Sequence, residues 1–186
     1  MKFSVKNITT IGILTAITVV LQLLANYISF GPVNITLSLI PIVIGALICG
    51  PWGGLFLGLV NGAIILAAPG TSVFLAYKPL ETVFLCLFKT GIAGLAAGFM
   101  PLILKKHQKI AVILASIMVP IINTSLFALG CLLFFMDIFS YDVGYLFLGV
   151  IGINFIIEFS VNAILSPTVY FIYKTIKNKY TKEVSL

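Results

Sequence analysis

Apolar runs of helical length fill the chain, and the residues that interrupt them are mostly Lys, Gly, Pro and Asn in short clusters. A helix crossing a hydrocarbon core of ~30 Å needs ~20 apolar residues, and runs of that order predict six membrane spans. The first runs from about Ile8 to Tyr27 and the second from about Val33 to Gly50, where Gly50-Pro51-Trp52-Gly53-Gly54 has the residues of a tight reversal. The third covers about Leu55 to Ala68 and ends at Pro69-Gly70. Pro79 suits the first turn of a fourth helix, Lys78 to about Leu104. The fifth runs from about Ile110 to Met136 and the sixth from about Val143 to Tyr173.

Composition agrees with the pattern. The chain of 186 residues is 61% hydrophobic and 9% charged, with a mean hydropathy of +1.21, values outside the range of a soluble domain. No linker, charge block or low-complexity tract divides it, so residues 1–186 are expected to form a single transmembrane domain. Two Lys precede the first apolar run, as in a secretory signal, but the run is too long for a signal core and no small-x-small cleavage site follows it. It is expected to be retained.

The net charge of +6 comes from Lys alone, since the chain has no Arg. Lys2 and Lys6 precede the first span, Lys105, Lys106 and Lys109 lie between the fourth and fifth, and Lys174, Lys177, Lys179 and Lys182 follow the sixth. An even number of spans puts all of these on one side, which the positive-inside rule makes cytoplasmic. The expected fold is therefore an all-α integral membrane protein of six transmembrane helices with both termini cytoplasmic. The basic balance then needs no nucleic acid partner; the lipid bilayer explains it. His107, in the KKHQK loop, reads as a solvated loop residue.

Ionisable groups inside spans are costly and usually face a bundle interior or a wet cavity. Lys78, Glu81, Leu85 and Lys89 fall in one stripe of the fourth helix at ~100° per residue. Gly91, Gly94 and Gly98 form a second stripe, where small residues let helix backbones approach closely. Asn154, Glu158 and Asn162 recur every four residues in the sixth span. Glu158, Lys89, Asn123 and Asn61 all fall near the midplane by this division. Two readings stay open for them: a structural Lys89–Glu158 ion pair with Asn hydrogen bonds, or contacts to a ligand. Lys78 and Glu81 sit at the external mouth.

Two external segments, Tyr27 to Ser38 and Ala68 to Tyr77, offer wall or lid material over a cavity. Phe30, Phe74, Tyr77, Tyr141 and Tyr145 can stack on a flat ligand or anchor the bundle at the interface. Cys49, Cys86 and Cys131 lie in apolar runs without a CxxC and read as small apolar packing residues rather than a disulfide or metal framework. No HExxH, GxSxG, Walker loop or acidic metal cluster appears, which argues against an enzyme and against any metal or cofactor. A self-sufficient carrier commonly shows paired repeats, and none is evident here.

The order of features resembles the substrate-binding S component of energy-coupling factor (ECF) transporters. The first-span stretch TTIGILTAITVVLQ is similar to the AxxxA-type motif of that family, with Gly12 and Ala16 at the small positions. LSLIPIVIGALICGPWGGLFLGLVNG, Leu37 to Gly62, resembles its second and third helices, and NFIIEFSVNAILSPTVYFIYK its last. The resemblance covers nearly the whole chain. It implies a six-helix subunit of the bacterial cell membrane that captures a vitamin or related micronutrient from outside. It also implies partners, a transmembrane coupling subunit and two cytoplasmic ATPases, and transport by toppling of the whole body in the bilayer. Carried onto this chain, Gly12 and Ala16 become coupling-subunit contacts. Asn34, Tyr77, Lys78, Glu81, Asn123, Phe127, Asn154 and Glu158 become substrate contacts, with Lys89 kept as the partner of Glu158. The competing expectations are a self-contained small-solute carrier or channel, and an assembly subunit with no ligand.

Overall fold

A computed structural model of the chain describes residues 5–27, 29–30, 33–34, 36–137, 144 and 151–184. The helices are α1 (Val5–Ala25), α2 (Leu39–Leu66), α3 (Ser72–Tyr77), α4 (Pro79–Ile103), α5 (Gln108–Phe134) and α6 (Gly152–Val184). Two strands, β1 (Ser29–Phe30) and β2 (Val33–Asn34), pair antiparallel between α1 and α2, and a 3₁₀ turn covers Pro69–Thr71. Among the described residues, α1, α2, α4, α5 and α6 are long and apolar enough to cross a membrane. The protein is a multi-pass membrane protein built of helices.

Where two spans were predicted around the Gly-Pro-Trp-Gly-Gly segment, helical structure continues through it, broken at Gly50 alone (φ 79°, ψ −172°). That conformation is open to Gly and not to residues with a side chain, and Pro51 then starts the next turn, where a proline N–H is not missed. The second arm so begins at Pro51, earlier than the predicted Leu55. The first arm begins at Leu39, because Val33 and Asn34 are taken up by β2. The chain folds back at Gly50. An unbroken helix would hold Ser38 and Asn61 about 34 Å apart, yet Ser38 Oγ lies 2.5 Å from Asn61 Oδ1. The predicted start of the sixth span at Val143, with Tyr141 and Tyr145, lies outside the described residues, as does Phe30's side chain.

The hairpin of α2 sits at the centre, in contact with α1, α4, α5 and α6. Its largest interface is with α4. A Cβ added at Gly54 would collide with the Gly94 backbone, and one at Gly94 with that of Gly54; Gly58 meets Thr90, Gly62 meets Cys86, and Gly98 meets Pro51 in the same way. Thr90 Oγ1 donates to Gly58 O (2.7 Å) across the seam. The small-residue stripe predicted on α4 is thus half of an antiparallel backbone-to-backbone contact, and Gly54, Gly58 and Gly62 are the other half. Leu39, Ile42, Val43 and Ala46 of the first arm pack with Ala93, Ala97, Val112, Ala115 and Val119 in the main core.

The segment after the third predicted span is ordered rather than a loop. Thr71 Oγ1 donates to Ile65 O (2.8 Å), a carbonyl at the end of α2 that also accepts the Ala68 N–H (3.0 Å). Helix α3 then drives Phe74 into a cluster with Phe127 and Phe135, ring centroids 6.1 and 5.1 Å away.

Candidate functional site

The polar stripe of α4 faces α5. Lys78 Nζ donates to Phe134 O (2.8 Å), at the end of α5, where a cation meets open carbonyls and the negative end of the helix dipole. The same ammonium lies 3.7 Å from Asp137 Oδ2, to which Tyr77 OH donates at 3.5 Å. Below it Leu85 packs onto Gly130, and deeper still Lys89 Nζ lies 4.5 Å from the Phe127 ring centre. Lys78 thus latches the start of α4 to the end of α5. Glu81, in the first turn of α4 and half-buried, makes no hydrogen bond or ion pair among the described residues.

Glu158, only 4% exposed, is the centre of the deeper polar cluster. Its Oε1 accepts the backbone N–H of Thr36 at 2.8 Å, and its Oε2 accepts Asn123 Nδ2 at 3.3 Å. Asn162 Nδ2 donates to the Glu158 carbonyl at 2.8 Å. A buried carboxylate must be hydrogen-bonded to be tolerated, and here the donors come from α5 and from the segment joining β2 to α2. Asn154, one turn earlier on α6, is likewise buried.

Lys89 and Glu158 are near enough for the ammonium charge to act on the carboxylate. Among the described residues, however, no ion pair within 4.0 Å joins them. Lys89 is 6% exposed and its Nζ has no hydrogen-bond acceptor within the described residues. What it has is the face of Phe127, a favourable but incomplete environment for a desolvated cation. Asn123 Oδ1, buried on the same face of α5 as Phe127, has no donor among the described residues either.

A second network, not anticipated from the sequence, joins α1 to the α2 hairpin. Gln22 Nε2 donates to Asn26 Oδ1 (3.1 Å), Ser38 Oγ donates to Gln22 Oε1 (2.8 Å), and Asn61 completes the set beside Ser38. Because a hydroxyl has one proton to give, the Asn61 amide is best satisfied with its NH₂ turned toward Ser38. The signal was present as Thr18, Gln22 and Asn26, polar residues every four positions in an apolar helix. They form the buried stripe of α1 with Leu14, while Gly12 and Ala16 on the other face are exposed, and a Cβ at Gly12 would meet nothing within 4 Å. Beside that face a groove of about 490 Å³ is lined by Ile8, Ile11, Trp52, Leu55, Phe56 and Leu59. Asn34 contributes backbone to β2, and its side chain lies outside those described.

Comparison with known proteins joins these observations to a family. Residues 6–170 match the family described as ECF transporter, substrate-specific component. The pantothenic acid transporter PanT of Lactococcus lactis subsp. cremoris (strain MG1363) is 27% identical over 184 aligned positions, spanning 90% of this chain and 93% of that protein. No solved structure matches the chain. A multi-pass helical body with a deep cluster of amides around a buried carboxylate, matched over most of its length, belongs to the ECF transporter substrate-specific components, the membrane-embedded substrate-binding subunits of an importer.

Proposed function

We propose that this subunit captures a small vitamin-like acid of the pantothenate type from the external face and delivers it through an importer driven by partner subunits. The observation that carries the reading is Glu158, held by Asn123 of α5 and by the Thr36 N–H of the segment that follows the β1–β2 hairpin. A ligand reaching this cluster would meet buried amides, a cation over Phe127 and a carboxylate, groups suited to a molecule with an acid, an amide and hydroxyls. The similarity to PanT supports pantothenate itself as the first substrate to try.

In this reading the α2 hairpin contributes two passes, the chain is one transmembrane domain of six, and the Lys-rich ends lie in the cytoplasm of a bacterial cell. Asn34, Tyr77, Lys78, Glu81, Asn123, Phe127, Asn154 and Glu158 supply the substrate contacts, with Tyr77, Lys78 and Glu81 at the entrance. The exposed Gly12–Ala16 face of α1, beside its apolar groove, is where a helix of the coupling subunit would dock. Two cytoplasmic ATPases complete the importer. Titration of pantothenate into the purified chain, with mass spectrometry of any molecule that co-purifies, tests the reading. A one-to-one complex is expected; a different co-purified molecule overturns the choice of substrate.

A further inference from the structure

Lys89 is the group whose surroundings are least complete. Its ammonium carries three N–H donors, it is 6% exposed, and among the described residues it meets no acceptor and no carboxylate within 4.0 Å. Glu158 does not need it, because Thr36 N–H and Asn123 Nδ2 already serve both carboxylate oxygens. An ion largely withdrawn from water with no acceptor of its own is expensive, and an acceptor brought in by a ligand would offset that cost. On α5, one turn from the Phe127 ring that Lys89 covers, Asn123 Oδ1 is a buried atom without a partner among the described residues. A cation short of acceptors over the Phe127 ring and an amide oxygen short of a donor one helical turn from that residue describe the complement of an acid that also carries hydroxyl or N–H groups.

We infer that Lys89 anchors the carboxylate of the transported substrate while Asn123 Oδ1 accepts from a hydroxyl or N–H of the same molecule. The inference rests on the proposed substrate-binding role and names the end of the ligand that enters deepest. Lys89 then determines specificity for acids over their neutral analogues.

Pantothenate and panthenol, which differ by a carboxylate against a primary alcohol, separate this from a structural role. Calorimetry on the purified chain is expected to find pantothenate bound about 10- to 100-fold more tightly than panthenol, as one charge-assisted contact set would give. In Lys89→Gln that preference disappears through loss of pantothenate affinity, with panthenol nearly unchanged. Equal weakening of both ligands, or an unaltered preference, overturns the anchor and returns Lys89 to a structural role with Glu158. If the wild-type chain binds neither, the substrate reading has failed separately. The anchor is then tested by thermal unfolding in acetate against acetamide at equal ionic strength. Selective stabilisation by acetate, absent in Lys89→Gln, upholds it, and an identical response of the two proteins overturns it.

Discussion

The Thr36 amide donates to Glu158 Oε1 across 2.8 Å, joining the start of α2 to a helix that begins more than a hundred residues later. The bond ties the segment that follows β1–β2 to α6. Glu158→Gln keeps an acceptor but gives up the charge, and hydrogen bonds to charged groups are worth about 1 kcal/mol more than neutral ones. Amide exchange at Thr36 is therefore expected to quicken about fivefold, with substrate affinity falling in parallel. Unchanged protection at Thr36 would show that the bond does not hold the segment.

Replacing Lys89 by Met removes a buried cation and leaves an apolar side chain of similar length. If Lys89 serves a ligand rather than the fold, the ligand-free variant melts at the same temperature as the wild type or higher. A drop of many degrees would place Lys89 among the residues that hold the bundle together.

At the entrance, Lys78 and Glu81 should separate. Lys78→Met uncaps the end of α5 and breaks the contact with Asp137, at a cost of about 0.3–1 kcal/mol by the usual worth of a charge at a helix end. Glu81→Gln touches no partner among the described residues and is expected to leave the melting temperature alone while weakening substrate binding. Unaltered affinity removes Glu81 from the site.

Gly94→Ala places a methyl group against the Gly54 backbone, where nothing flexible can yield. Overpacking of this kind costs about 1–3 kcal/mol or more, and loss of the monodisperse folded protein in detergent is expected. Gly12→Leu and Ala16→Leu lie on the exposed face of α1. They should spare both folding and binding yet impair ATP-driven uptake in vesicles that contain the partner subunits. Uptake by this chain alone in liposomes would instead favour the self-contained carrier.

Much of this organisation could be read from the residues. The Gly91, Gly94 and Gly98 spacing announced close helix contact because, in lipid, backbone approach is what small residues gain. Which helix would answer it was not legible, since Gly54, Gly58 and Gly62 also recur at helical spacing but periodicity does not say which stripes meet. Gly50-Pro51 marked the reversal, although only Gly50 departs from helical geometry. For the charges, the sequence could rank Lys89 and Glu158 as unusual but not assign their partners. Glu158 is met by a backbone N–H, which every residue but proline offers and no side chain advertises. Gln22, Ser38 and Asn61 went unmatched for a related reason, as their network depends on the α2 hairpin bringing positions far apart in sequence together.

The α2–α4 seam also has a mechanical consequence. Where helices meet through interleaved side chains, rotamer changes can absorb a small displacement; where backbone meets backbone at Gly54 and Gly94, there is no such slack. A push delivered at the Gly50 end of the hairpin would pass undamped along α4 to Pro79 and the entrance, so that this half of the molecule behaves as a lever rather than a spring.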